Sequence, residues 1–320
     1  MINIVVTGVG STTSISAIKA FRKQAEFDIS IHGVDINPAD QIAGSAFCDS
    51  FTQIPRASSP EYLDCLLQVC KAQQAVLLIP VVDEELVIIA GAAGRFQELG
   101  CRVACSPEST VRTCLDKYQC MELLSSHRVQ TPHTRWASSI QSSDEIRFPA
   151  FAKPNRGRSS INALRVDSLE ELQILQSKVP DLIVQELICG TEYTIDVMCN
   201  FEGRPFAVVP RQRIEIKSGI TYKGRSLHCE QLTEIAVKIT STLQFAGPLN
   251  FQCIDGPQGM SCIEVNPRFS GTLPLTVESG VNGPLWLLRL LDGQQPPPGI
   301  LPFQPVSMTR YWDEVFRHET

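Results

Sequence analysis

Residues 249–268 read Leu-Asn-Phe-Gln-Cys-Ile-Asp-Gly-Pro-Gln-Gly-Met-Ser-Cys-Ile-Glu-Val-Asn-Pro-Arg. Two short strand-like runs flank Asp255-Gly-Pro-Gln-Gly259, and Gly and Pro punctuate chains at turns, so the segment is expected to form a β-hairpin. Folding it about Gln258 sets Gln252 opposite Glu264. Side chains alternate between faces along a strand. Gln252, Glu264 and Asn266 therefore share one face, and Phe251, Cys253, Ile263 and Val265 point the other way, into a core. A carboxylate and two amide oxygens on one face suit Mg²⁺ held jointly with phosphate groups, because that small hard cation takes oxygen ligands. Arg268 follows as a fixed cation beside the same face. The competing reading is a half-buried hairpin with an ordinary polar outer side.

Outward from the hairpin, the chain has 320 residues, enough for two or three domains. With 43% apolar and 19% charged residues it is an ordinary globular sequence rather than a disordered one. The net charge of −6 gives no general attraction for nucleic acid or anionic membrane, so an anionic nucleotide needs a local cluster of cations. No apolar run reaches the roughly 20 residues of a membrane helix. The start, Met1-Ile-Asn-Ile-Val-Val-Thr7, reads as a first strand without the basic segment of a signal peptide. The 12 cysteines show no CxxC and no zinc spacing, which fits buried thiols in a reducing, cytoplasmic setting. His32, His127, His133, His228 and His318 form no visible dyad.

Residues 2–105 alternate strand and helix patterns. Strands are expected at 2–7, 29–34, 75–79 and 101–105, and helices at 12–24, 60–71 and 84–99. Near-continuous apolar strands alternating with helices indicate a parallel sheet covered on both faces. Ser106 as N-cap and Pro107 at the first helical position start a helix expected to run to about 125. Residues 127–147, rich in Ser, Thr and Gln, read as a linker. Beyond it, strands at 148–153, 182–186, 192–199 and 206–209 and helices near 169–176 and 230–243 suggest an α+β region with a largely antiparallel sheet. The expected division is 1–106, 107–147, 148–190 and 191–320. Pro296-Pro-Pro298 marks an extended exit.

Several segments have the chemistry of anion binding. Gly8-Val-Gly10 follows the first strand and Asp35 ends the second, where a ribose-binding acid would sit, but Thr13 replaces the third glycine of a dinucleotide fingerprint. Asp83-Glu-Glu85 at a strand end either starts a helix or grips a substrate amine. Lys153 ends an apolar strand and needs an anionic partner or must lose its charge. The following Pro154-Asn-Arg-Gly-Arg-Ser-Ser160 offers backbone N–H groups, hydroxyls and cations to phosphate, although it is not a Walker A loop. Gln185, Glu186, Leu187 and Ile188 end another apolar strand, and Glu192 opens the next.

The order of these parts resembles the ATP-grasp family, most closely the ATP-binding units of carbamoyl phosphate synthetase and the carboxylate–amine ligases, over roughly residues 1–292. The resemblance implies an α/β amino-terminal domain with a parallel sheet followed by α+β ATP-grasp domains with largely antiparallel sheets. It implies that Lys117, Lys153, Gly157, Ser159 and Ser160 bind the ATP phosphates. Gln185, Glu186, Leu187 and Ile188 would form the adenine hinge and Glu192 the ribose contact. Gln252, Glu264 and Asn266 would ligate Mg²⁺, with Mn²⁺ as a substitute. Arg268 would contact the reacting phosphoryl and acyl group, with Arg211 or Lys217 as the further cation on the γ-phosphate. A single glycine, Gly157, in the phosphate loop departs from the family pattern, and the chain's end soon after the hairpin leaves no biotin carrier expected.

The activity implied is ATP-dependent activation of a small-molecule carboxylate as an acyl phosphate, followed by capture with an amine. No nucleic-acid or membrane partner is expected, and a homodimer is a family-level expectation. The alternatives are a nucleotide-binding regulatory protein without turnover and an NAD-dependent oxidoreductase built on Gly8–Gly10.

Overall fold

The structure, a computed structural model, describes residues 1–157, 161–217 and 219–317. A five-stranded parallel sheet comes first, from β1 Ile2–Val6, β2 Ile29–Asp35, β3 Ser50–Gln53, β4 Leu77–Ile79 and β5 Arg102–Val103, in the order β3-β2-β1-β4-β5. Helices α1 Thr12–Arg22, α2 Tyr62–Ala72, α3 Asp83–Gly91 and α4 Ala93–Glu98 connect the strands. Both faces are apolar. Ile4, Val6 and Ile31 meet Ala17, Ile18 and Phe21 of α1 on one side. Val5, Val34 and Leu78 meet Leu66 of α2 and Phe96 of α4 on the other. That two-sided burial is why the strands read as continuous apolar runs.

Two short helices follow, α5 Glu108–Leu115 and α6 Lys117–Ser126. The single helix expected there breaks because Asp116, at φ −96° and ψ 95°, accepts from the Gln119 N–H and caps a new start. Asn155 covers two more N–H groups of that start, its carbonyl taking Lys117 N at 3.2 Å and its Oδ1 taking Tyr118 N at 2.8 Å. Ser106 is not the cap of α5; its hydroxyl pairs instead with the backbone of Ala246. The helix expected over 84–99 is likewise two helices, meeting at Ala92.

A four-stranded antiparallel sheet, β6-β9-β7-β8, is built from β6 Thr134–Trp136, β7 Ala150–Pro154, β8 Leu164–Val166 and β9 Leu182–Glu186, with α7 Leu169–Lys178 against it. The segment read as a linker thus contributes the edge strand β6, paired to β9 through Arg135 and Val184.

The third sheet is antiparallel and runs β14-β13-β10-β11-β12-β15. Its strands are β10 Thr191–Cys199, β11 Pro205–Lys217, β12 Ile220–Ser226, β13 Gly247–Gly256, β14 Gly259–Asn266 and β15 Ser307–Thr309. Helix α8 Glu230–Thr242 packs on one face, where Leu232 and Ile239 join Ile195, Val197, Phe251, Cys253 and Val265. Helices α9 Leu273–Glu278 and α10 Gly283–Leu291 lie toward α1, and Leu287 and Leu288 share the core of Ile18 and Phe21. β11 runs well past the expected 206–209. β12 and β15 escaped the reading because their residues are largely polar and alternate in exposure. Among the described residues, no helix is long and apolar enough to cross a membrane.

The hairpin forms with one correction. Its turn is Pro257-Gln258 between Gly256 and Gly259, not a loop centred on Gln258. Gln252 still faces Glu264 because Cys253 pairs with Cys262, so β14 carries one extra residue, Ile263, as a bulge. The bulge puts Cys262 into the core and leaves Ile263 half-buried at the wall of a cavity rather than in the core.

Candidate active site

The pairing of the third sheet lays a row of side chains across one face. Glu264 of β14 is opposite Gln252 of β13, Gln252 opposite Thr194 of β10, and Thr194 opposite Arg211 of β11. The neighbouring row holds Asn266, Asn250 and Asp196. Directly paired residues share a face, so a carboxylate, two asparagines, a glutamine and a threonine meet without any loop. They line a cavity of about 380 Å³ between the three sheets, together with Lys117, Lys153, Gly157, Glu192, Arg213 and Arg268.

Lys117 and Lys153 approach from above the hairpin. Each is only 8% exposed. Lys117, first residue of α6, donates from Nζ to the Gly157 carbonyl at 2.8 Å and lies 3.8 Å from Glu264 Oε1. Lys153, on β7, donates to the Ile263 carbonyl at 3.1 Å, the backbone that the bulge exposes. Burial brings the Lys153 ammonium down from 10.5 to about 8; Glu264 opposes that shift and Lys117 adds to it. Two cations beside one carboxylate leave positive charge in excess, which an anionic ligand would balance.

Arg268 sits at the cavity's other end. Its Nε and Nη2 donate to the two carboxylate oxygens of Asp83, Nη2 at 3.1 Å from Oδ2, and its Nη1 donates to the Phe269 carbonyl at 3.1 Å. Burial disfavours its charge, but Asp83 and then Glu264 outweigh that and hold its pKa above the usual value. The wall beyond it is rich in hydroxyls: Ser11, Thr12 and Thr13 around the start of α1 face Ser270, Gly271 and Thr272. Thr194, Thr221 and Thr272 are buried, line the cavity, and make no side-chain hydrogen bond among the described residues.

The remaining expected site residues fall as follows. Glu192 borders the cavity, 3.6 Å from Arg213 Nε. Gln185 is buried and donates to Thr134 Oγ1 at 2.8 Å, so its amide serves the sheet, and Glu186, Leu187 and Ile188 lie outside the cavity. Ser159 and Ser160 lie outside the described residues.

Arg211 does not line the cavity. It is 2% exposed, bound to Asp196, and donates to Ser270 Oγ at 2.8 Å, with Ser270 between it and the open space. Lys217 is half-exposed and lies 3.6 Å from the Tyr222 ring and 3.4 Å from Glu215, also off the cavity. The cation of this segment at the wall is Arg213, whose Nη2 donates to the Gly219 carbonyl at 2.9 Å. Burial pulls its pKa down against the pull of Glu192. Strand alternation puts residues 211 and 213 on one face; the depth that separates them comes from the 270–272 loop, which the sequence of β11 cannot report.

Among the described residues, no three His, Cys, Asp or Glu converge as a metal cage. The oxygens that do converge belong to Glu264 and to the Gln252 and Asn266 amides. Among the described residues, the Glu264 carboxylate has only the 3.8 Å approach of Lys117 as an ion pair, and Gln252 makes no side-chain hydrogen bond. Such a set fits a cation that takes its other ligands from phosphate and water, as Mg²⁺ does.

The turn on which the dinucleotide alternative rests is closely packed. A Cβ on Gly8 would lie 2.4 Å from Val82 Cγ2, and one on Gly44 would lie 1.6 Å from the Val9 carbonyl. Asp35 accepts from Gly10 N at 2.8 Å and from Asn37 N at 2.9 Å, so its oxygens already serve the turn.

Comparison with known proteins bears on the sequence and the fold. Residues 178–311 match a family model described as ATP-grasp in the biosynthetic pathway with Ter operon, and residues 4–104 match the PylC-like N-terminal domain. The chain is 28% identical over 266 residues to a 3-methyl-D-ornithine–L-lysine ligase of Methanosarcina acetivorans, covering 80% of this chain and 65% of that one. It is 34% identical over 99 residues to a D-alanine–D-alanine ligase of Francisella philomiragia, covering 29% and 33%. The chain thus spans less than two thirds of the length of these relatives. Among solved structures, the biotin carboxylase domain of Hydrogenobacter thermophilus 2-oxoglutarate carboxylase, in complex with MgADP, ADP and bicarbonate, superposes with a TM-score of 0.74 at 16% identity, over 94% of this chain and 72% of that one. The carboxyl-terminal part of the chain is thus similar in sequence to ATP-grasp proteins and its amino-terminal part to PylC-like proteins, and its fold throughout is that of the biotin carboxylase domain.

Proposed function

We propose that the chain is an ATP-dependent ligase that activates a small-molecule carboxylate as an acyl phosphate and joins it to an amine, with an amino acid or a similar small molecule as substrate. The observation that carries this reading is the convergence on one cavity of Gln252, Glu264 and Asn266 with Lys117, Lys153 and Arg268. The ligase names of the relatives support the same reaction class.

Glu264, Gln252 and Asn266 would hold Mg²⁺, which when bound neutralises charge on the nucleotide's terminal phosphates. Lys117 and Lys153 neutralise phosphate oxygens from the opposite side. Their partners, the Gly157 and Ile263 carbonyls, hold each ammonium without cancelling its charge. Arg213 supplies a cation at the cavity wall beside Glu192. Phosphoryl transfer needs little covalent chemistry from the protein; alignment and charge stabilisation suffice. The substrate carboxylate attacks the γ-phosphorus, the bond to the β-phosphate oxygen breaks, and ADP leaves. The amine then attacks the acyl carbon and phosphate departs. Arg268 keeps donors for the oxygen on which charge develops, and the hydroxyl-lined end between α1 and residues 270–272 takes the substrates.

The test is a screen of carboxylate and amine pairs for ATP-dependent phosphate release, with Glu264→Gln as control. Release that depends on both substrates and vanishes in the variant supports the reading. MgATP binding without release for any pair supports the regulatory alternative instead.

A further inference from the structure

Resting on the ligase reading, we propose that Asp83 is a positioning residue that aims Arg268 and keeps its guanidinium from neutralising Glu264. The two residues are 185 positions apart and come from different sheets, Asp83 from the start of α3 and Arg268 from just beyond β14. Their side chains are 13% and 17% exposed, so the pair is largely shielded from solvent competition.

The geometry is a two-point grip. Nε and Nη2 of Arg268 each meet one oxygen of Asp83, and Nη1 meets the Phe269 carbonyl. A guanidinium has five N–H donors in a rigid plane. Three are committed here, which fixes the plane and leaves the outer pair for the cavity. Asp83 is itself held. The Glu85 carboxylate accepts from Val81 N and Val82 N, both at 3.0 Å, from Thr7 Oγ1, and from Tyr62 Oη at 2.6 Å. That network pins the backbone just before α3, so the grip does not depend on a mobile loop.

The consequence concerns Glu264. Arg268 and Glu264 line the same cavity and stand two positions to either side of Asn266, and the charges of Glu264 and Glu84 already favour the charged arginine. Glu264 is the one carboxylate in the oxygen set that fits a divalent cation. An arginine released from Asp83 has Glu264 as its partner inside the cavity, and a guanidinium there competes with the cation. Asp83 therefore separates two positive charges that would otherwise contend for one carboxylate. Its removal is felt as a higher Mg²⁺ requirement, beyond any uniform loss of fold or affinity.

The experiment is calorimetric titration of the full chain with ADP over a series of Mg²⁺ concentrations, alongside thermal melts. Wild type, Asp83→Asn, Asp83→Glu and the double variant Asp83→Asn with Arg268→Gln are compared. In Asp83→Asn the half-saturating Mg²⁺ rises about tenfold, the scale on which lost outer partners act at metal sites, and Asp83→Glu recovers part of it. In the double variant no guanidinium remains to compete, and the Mg²⁺ requirement returns to wild type or below. An unchanged requirement in Asp83→Asn, or the same raised requirement in the double variant, overturns the proposal while leaving the nucleotide reading in place. Wild-type protein that binds ADP indifferently to Mg²⁺, or not at all, overturns both.

Discussion

The turn after β1 and the hairpin of β13 and β14 each set an acidic residue beside a motif suggestive of nucleotide chemistry, and they differ in what is left over. At the turn, both oxygens of Asp35 take backbone N–H groups, and the glycines are closely packed, Gly8 against Val82 and Gly44 against the Val9 carbonyl. At the hairpin, Glu264 and Gln252 keep their oxygens, and the nearest cations, Lys117 and Lys153, rest on carbonyls rather than on carboxylates at hydrogen-bond distance. A motif describes the turn it builds. Whether a ligand enters depends on how many polar atoms the protein has already used, which is a tertiary property.

The sharpest way to break this contrast is Glu264→Gln. It should reduce ATP-dependent phosphate release at least ~100-fold, the scale of losing one preorganised electrostatic group at a reacting centre, with an unchanged circular dichroism spectrum. Turnover near wild type would put the cation site elsewhere.

Lys153 gives the next largest effect and a sign that can be worked out. Its pKa is lowered on folding from 10.5 to about 8. In protein free of nucleotide and divalent cations, the unfolded chain holds more protons between those values, so stability rises with pH through that window and is level below it. The rise is about 3 kcal/mol. Lys153→Met should flatten it in urea titrations at pH 7.5 and 10 (pH values chosen about the window), and should weaken ADP binding about 10- to 100-fold, the worth of a hydrogen bond to a charged group. A variant with the wild-type pH slope would remove Lys153 from the buried, cation-crowded position assigned to it.

On the other side of the contrast, Gly8→Ala tests whether the first turn is packed rather than vacant. Gly8 has φ +55° and its Cβ would strike Val82, so the substitution should cost about 1–3 kcal/mol of stability. The smallest effect expected is that of Asp35→Asn. It should cost about 1 kcal/mol, a typical net hydrogen bond, and leave ADP affinity unchanged by calorimetry. A loss of nucleotide binding in Asp35→Asn would return the turn to candidacy.

Much of this was legible from local pattern. The parallel sheet followed from apolar runs alternating with helices. The Gln252–Glu264 pairing followed from turn residues and strand period, although it holds only because Ile263 bulges. Lys117 and Lys153 were placed by resemblance and meet over the hairpin. What local pattern could not show was long-range. Asp116 ends α5 because Asn155, just beyond β7, satisfies the next N–H groups. Arg213 rather than Arg211 reaches the cavity because Ser270 covers the deeper residue. Asp83 meets Arg268 only through the docking of the first sheet on the third. Gln185 donates to Thr134, a residue of a strand hidden in a polar stretch that reads as linker.

The central claim is that one cation is shared by Gln252, Glu264 and Asn266. Its most direct test is an anomalous difference map from crystals of the chain grown with ADP and Mn²⁺. The account predicts a single strong peak about 2.1–2.3 Å from oxygens of Gln252, Glu264 and Asn266, the range of bonds from small hard cations to oxygen, with the nucleotide's phosphates between it and the lysines. A peak bound away from the hairpin, or bound nucleotide with no peak beside Glu264, would contradict it.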